Sequence, residues 1–257
     1  MWIKKIVDKE KVEFFGQIVD AIELLAEKYE LSFDEAIEHA EFALSYSFSD
    51  SLNADVQVYL KPSCKIIVFY NDTLKELSPR QISKGVVKKA KAFLEYRFQC
   101  LHAHKIYIDA KKVIRTIVWG QIIKKTTNNA LYVRFTNPYA VTEGGRVLVG
   151  VCPLEHQTPK ERGQYWEGLY LHFFVTSVRG IVVDKIPKVV ITVSRNSISL
   201  PEALLRNILI ENGVFIEIKA TKRIAGAYTE IKAQERIPKE YIKKVSEILK
   251  EGIIVKY

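Results

Sequence analysis

Apolar residues Val12, Phe15, Val19, Ile22, Ala26 and Tyr29 recur at alternating spacings of three and four, with Glu13, Asp20, Glu23 and Glu27 between them. This period is that of an amphipathic helix, here with an acidic outer face. A second helix follows at once. Ser32 with Glu35 three residues on forms a capping box, and Leu31 and Ala36 supply the hydrophobic staple. Ala36, Ile37, Ala40, Ala43 and Leu44 give its buried stripe, so the two helices form a hairpin. Apolar runs at 56–60 and 66–70 flank a turn at 61–65 and read as two strands. Ser78-Pro79 then opens a basic helix, with Ile82, Val86, Ala90, Phe93 and Leu94 inward and Lys84, Lys88, Lys91 and Arg97 outward.

Beyond about Ile106 the hydrophobic period changes to two. Segments 114–124, 130–135, 146–151, 170–178 and 189–194 are strand candidates rich in Val, Ile and aromatic residues. Five short strands predict a closed barrel of the OB type. Such barrels bind single strands by stacking bases on exposed aromatics beside a basic groove, and Tyr132, Arg134, Phe135, Tyr165, Trp166, His172 and Phe173 are the residue types required. By alternation Tyr132 and Arg134 share the solvent face, while Leu131, Val133 and Phe135 point inward. The remaining chain reads as helix (200–210), strand (214–222), a turn at Ala225-Gly226, strand (228–234), helix (238–250) and strand (253–256), a small α+β unit with Lys219, Lys222 and Arg223 on or beside its first strand.

Composition narrows the class. The 257 residues are 48% apolar, carry a formal charge of +9, and contain no apolar run near bilayer length. The length allows two or three modules, and the opening Met1-Trp2-Ile3-Lys4-Lys5 lacks the long apolar stretch of a signal peptide, so a cytoplasmic location is expected. The charge is divided along the chain: residues 1–50 hold 5 basic and 12 acidic side chains, net −7, whereas residues 51–257 hold 34 and 18, net +16. A basic body attracts polyanions, and an acidic module suits a basic protein surface. Charge alone is equally compatible with a surface that serves solubility.

Candidate chemistry is sparse. Cys64, Cys100 and Cys152 lie too far apart in sequence for the short spacings of zinc or redox sites and read as free thiols. No glycine-rich phosphate loop is present. Asp34, Glu35, Glu38, His39 and Glu41 crowd one helix start, but acids there are accounted for by capping and by the helix dipole. His102-Ala103-His104 falls where basic side chains are favoured at a helix end. No catalytic residue, metal site, cofactor or small-molecule substrate is assigned, and the chain is expected to act through its surfaces.

Three stretches carry a family resemblance. Residues 28–38, Lys28-Tyr29-Glu30-Leu31-Ser32 leading into Glu35-Ala36-Ile37-Glu38, followed by Ala54-Asp55-Val56-Gln57-Val58, form the first. Gly120-Gln121-Ile122-Ile123, Ala130-Leu131-Tyr132-Val133 and Cys152-Pro153-Leu154-Glu155-His156-Gln157-Thr158-Pro159-Lys160-Glu161-Arg162, followed by Gly168, form the second. The third is Ser194-Arg195, then residues 214–220 with Glu217-Ile218-Lys219-Ala220, Arg223 and Gly226. Together they resemble a divergent, shortened NusA, the bacterial transcription elongation, pausing and termination factor. The chain departs from that family by having no Gly-x-x-Gly loop after Gln234, where Gly252 is the only glycine, by reducing an acidic insertion to residues 71–77, and by stopping where a second KH domain would be expected.

The resemblance implies an α+β multidomain protein: a polymerase-binding domain with a connecting helix at 1–105, an OB-type RNA-binding barrel of the ribosomal S-one type at 106–197, and a reduced, type-II-like KH domain without its gripping loop at 198–257. It implies docking on RNA polymerase through Glu23, Glu27 and Glu30. It also implies contact with single-stranded nascent RNA through Lys124, Lys125, Tyr132, Arg134, Arg162 and His172, with Lys219, Lys222 and Arg223 as further contacts, and no membrane partner. The alternative is an RNA-binding protein of the ribosome or of RNA turnover that uses the same modules.

Overall fold

The computed structural model describes residues 18–70, 73–78 and 81–257. Its elements divide into two compact units, residues 1–104 with 182–187, and residues 105–181 with 188–257. Val12, Phe15, Glu13 and Pro79, which belong to the expected helix stripe and helix start, lie outside the described residues.

In the first unit, α1 (Ile18–Lys28) buries Ile18, Ile22 and Ala26, with Asp20 in its first turn and Lys28 in its last, matching the helix dipole at both ends. Helix α2 (Phe33–Leu52) starts at Ser32, whose hydroxyl accepts the Glu35 N–H at 3.3 Å, and stops at Asn53 in the left-handed conformation. It runs eight residues beyond the stripe ending at Leu44, because Ser47 and Phe48 continue the buried face. Strands β1 (Asp55–Tyr59), β2 (Lys65–Tyr70) and β3 (Thr73–Leu77) form an antiparallel sheet. Residues 73–77, expected to be only the remnant of an insertion, are therefore its third strand. They pair with β2 from Leu77 opposite Ile66 to Thr73 opposite Tyr70.

Helix α3 (Lys84–Lys111) opens after Ser83, whose hydroxyl accepts the Val86 N–H. Ile82, Val87, Ala90, Leu94 and Phe98 join the core formed by α1, α2 and the sheet. Arg97, expected on the outer face, is half-buried and lies over the Phe42 ring, 5.2 Å from its centroid.

The second unit begins within α3, where Ala110, and Val113 just beyond the helix, join the core of a five-stranded barrel. Its strands are β4 (Ile117–Lys125), β5 (Leu131–Phe135), β6 (Val149–Cys152), β7 (Tyr170–Val183) and β8 (Ile186–Ser194), closed in the order β4-β5-β6-β8-β7, with β6 and β8 parallel. The alternation in β5 is complete: Leu131, Val133 and Phe135 are buried, Tyr132 and Arg134 exposed. Gly120 allows the tight packing, because a Cβ there would stand 2.3 Å from Val133 Cγ1.

Helix α4 (Ser199–Glu211), strands β9 (Ile218–Ile224) and β10 (Tyr228–Ala233), helix α5 (Lys239–Leu249) and strand β11 (Gly252–Lys256) follow in the αββαβ order expected from the sequence. The sheet order is β11-β10-β9; β9 and β10 are antiparallel, and α5 supplies the crossover that a parallel β10–β11 pair needs. Leu200, Leu204, Leu205, Leu209, Ile231, Val245 and Leu249 form its core, joined by Ile117 and Phe174 of the barrel. The barrel and the last module thus share one compact unit, and the expected boundary after residue 197 is bridged by apolar packing.

Candidate nucleic-acid interface

The outer face of β7, β4, β5 and β6 gathers aromatic and basic side chains in register. Gln121 stands opposite Tyr170 on one side and Arg134 on the other, and Arg134 opposite Val149. Trp119 stands opposite His172, and Lys124 opposite Tyr132. A bulge between Ile122 and Lys124 inserts Ile123 and brings Lys124 opposite Tyr132 on this surface. The Trp119 ring stacks on Tyr170 with centroids 6.2 Å apart at 23°, and contacts the His172 ring at 4.3 Å. Trp119 is 38% exposed, Tyr132 39% and Tyr170 43%, so three flat rings face solvent on adjoining strands. Lys124 and Arg134 are exposed beside them and make no ion pair with the described residues.

Such an arrangement can do two things. The rings offer π-faces to bases without regard to sequence, each stack being worth about 1–3 kcal/mol. The cations neutralise phosphates and release counterions. Trp119 and Tyr170 were absent from the residues singled out in sequence. Their signal is the alternation within β4, since Trp119 follows the fully buried Val118 and must point outward. Trp166, 60% exposed, lies in the turn that precedes β7, and that turn is tied to β4 by the Gly168 N–H to Ile122 carbonyl bond. Tyr165 and Phe173 are buried and belong to the barrel core, as does Phe135.

The other expected contacts divide. Lys125 is exposed, with its backbone N–H directed at the Glu167 carboxylate. His172 is half-buried against Trp119; burial, with help from the nearby Arg195 charge, pushes its pKa down to about 4. It is therefore neutral at physiological pH, and it serves the platform as a packed ring, not as a phosphate-binding cation. Arg162 is exposed, but its guanidinium donates to the Leu154 carbonyl at 3.1 Å. Lys219 and Lys222 are exposed on β9.

Arg223 is a correction. Its side chain is 2% exposed and forks onto the fully buried Glu251 at 3.0 and 3.2 Å, with a further bond to the Ser197 carbonyl. Glu251 also accepts from the Gly226 N–H and the Thr229 hydroxyl. A guanidinium with these partners inside the fold is not presented to RNA.

The segment 152–162 also proves to be largely internal. Gln157 is buried and donates to the Asn129 and Cys152 carbonyls, and Thr158 donates to the Arg195 carbonyl. Glu161 takes a forked bond from Arg195, at 2.7 and 3.0 Å, and a third bond from the Tyr165 hydroxyl. Burial pushes the Glu161 carboxyl up, but the Arg195 guanidinium overcomes this and holds it below its usual range. Arg195 also donates to the His172 carbonyl on β7. Burial pushes the Cys152 thiol up to about 12, so it is no nucleophile. Gly226, at φ +79°, lets the β9–β10 turn approach this segment: a Cβ there would stand 3.0 Å from Thr158 Cγ2. The segment fastens the last module onto the barrel.

In the first unit, Glu23 and Glu27 are exposed on α1, with Leu24, 68% exposed, between them. Glu30 is different: it is half-buried beyond the helix end with φ 55°, so it is not on the helical face with the other two. Of the acids near the α2 start, Asp34 pairs with Lys61 and Glu41 accepts the Leu60 N–H. Among the described residues no cluster of His, Cys, Asp and Glu is arranged to hold a metal ion, and no helix is long and apolar enough to cross a membrane.

No family model matches the chain, and no curated protein matches it in sequence.

Proposed function

We propose that this protein is a NusA-like transcription factor that binds RNA polymerase through its first unit and nascent single-stranded RNA through its barrel, modulating elongation, pausing, termination or antitermination. The observation that carries the RNA half is the solvent-facing platform of Trp119, Tyr170 and Tyr132 beside Lys124 and Arg134. An aromatic face flanked by unpaired cations suits single strands, whose unstacked bases are free to stack on it. The barrel is read as the OB-type domain of the resemblance, and the αββαβ module as its reduced KH domain. With no Gly-x-x-Gly loop, that module lacks the backbone grip that KH domains use.

The polymerase half has a separate support. It rests on the resemblance of residues 28–58 and on an acidic α1 face that carries an exposed leucine, the chemistry that suits a basic protein surface with an apolar socket. The platform itself equally suits an RNA-binding protein acting on ribosomes or in RNA turnover. The test is binding of the full chain to core RNA polymerase and, separately, to a single-stranded oligoribonucleotide. Both are expected to bind, with Glu23→Lys/Glu27→Lys reducing only the first and Trp119→Ala/Tyr170→Ala only the second. RNA binding without polymerase binding would remove the transcription role and leave the second reading.

A further inference from the structure

The sheet of the last module has one face packed on α4 and α5 and one face open to solvent. Ile218, Ala220, Ile231 and Ala233 point inward, while Lys219, Lys222, Glu230 and Lys232 point outward with Ile254 and Lys256. On the outer face the strand register sets Lys219 opposite Lys232, and Lys232 opposite Lys256. Three lysines thus form a row across three strands, about 10 Å from end to end at the usual strand spacing of about 4.8 Å. Lys222 stands next to this row, opposite Glu230. Glu230 is the single acid among these outward side chains and is held by Lys256 at 2.6 Å. Lys219 and Lys232 form no ion pair with the described residues.

Like charges set directly opposite one another destabilise a sheet. Lysines on edge strands are common because they discourage edge-to-edge pairing, which would account for Lys219 on β9 and Lys256 on β11. It does not account for Lys232, which lies on the central strand, where there is no edge to protect. A row of cations that costs stability in the free protein is relieved by an anion with regularly repeated charge.

We infer that this face is a phosphate-backbone binding surface for single-stranded RNA, formed by Lys219, Lys222, Lys232 and Lys256, and that it takes the place of the loop grip the module lacks. The inference rests on the RNA half of the proposed function and adds a second contact surface in the same compact unit. It is electrostatic and independent of base identity, in contrast to the aromatic platform on the barrel. Its signature is therefore in the salt dependence, at about 0.7 unit of log–log slope per phosphate contact for a single strand.

The test is titration of the full chain with a fluorescent oligouridylate at several salt concentrations, comparing wild type, Lys219→Gln/Lys232→Gln and Glu230→Gln. The lysine variant is expected to bind roughly tenfold more weakly near 0.1 M salt, with a slope shallower by about 1.4 units. Glu230→Gln is expected to bind more tightly than wild type. All substituted positions lie on the solvent face, so circular dichroism should be unchanged. If the lysine variant keeps the wild-type affinity and slope while Trp119→Ala loses binding, the face is only solvated, and the inference falls while the platform stands. Loss of binding to polyglutamate with unchanged RNA binding would also overturn it, assigning the face to an acidic protein segment. If wild type binds no RNA, both the inference and the reading beneath it fail.

Discussion

Two buried arginines decide how much of the second unit is internal architecture. Arg195 and Arg223 each fork onto a glutamate, and each also bonds a carbonyl from another segment. Removing one partner from such a pair leaves an uncompensated charge, which costs about 3–5 kcal/mol. Glu161→Ala is therefore expected to lower the unfolding free energy by that amount in a urea titration, whereas Arg162→Ala, at the neighbouring exposed position, should change it by about 0.5 kcal/mol or less. His172 gives a pH signature. Its folded pKa, about 4, lies below the unfolded value near 6.5, so between those values the unfolded chain binds a proton that the folded chain does not. Stability attributable to this residue is complete above pH 6.5 and is lost as pH falls toward 4, by about 2 kcal/mol once its residual contact with water is allowed for. His172→Gln should flatten the stability profile across that window; an unaltered profile would show that other groups set it. These roles were not legible in sequence. A basic side chain beside a strand reads as surface, and only the register places Arg223 on the inner face opposite Thr229.

At the scale of elements, local chemistry was legible where it is self-contained. The Ser32 cap, the alternation in β5 and the αββαβ order all follow from spacing alone, because each depends on residues close in sequence. Ser32→Ala is expected to lower the stability of the first unit by about 1 kcal/mol, measured by thermal unfolding. Elements decided by distant partners were not legible. Residues 73–77 are mostly exposed and lack a strand-like alternation, and become a strand only because β2 offers an edge. Lys124 needs the bulge at Ile123 to stand opposite Tyr132. Packing of the barrel makes a further demand: Gly120→Ala would drive a methyl into Val133 and should destabilise the second unit by about 1–3 kcal/mol, again read from thermal unfolding.

Over the whole chain, charge is divided while exposed aromatic rings are not, since Phe42, Tyr46 and Tyr70 are exposed in the first unit as well. Net negative charge is confined to residues 1–50, and the strongly basic remainder carries both the aromatic platform and the lysine row. The sequence showed the charge division plainly but missed Trp119 and Tyr170 and put the buried Arg223 on the surface, because a motif's prominence says nothing of its exposure. The segment 152–162, the most specific stretch of the resemblance, is mainly a fastening, while Trp119 and Tyr170, in strands that the hydrophobic period predicts, form the stacking face. On the proposed function, bases stack there. The most direct test of that stacking is the affinity of the full chain for oligouridylate, wild type against Trp119→Ala/Tyr170→Ala, across a salt series. A loss of at least tenfold is expected, in keeping with about 1–3 kcal/mol per stacked base, with the salt slope unchanged because no phosphate contact is removed. Wild-type affinity in that variant would contradict it and place RNA on another surface.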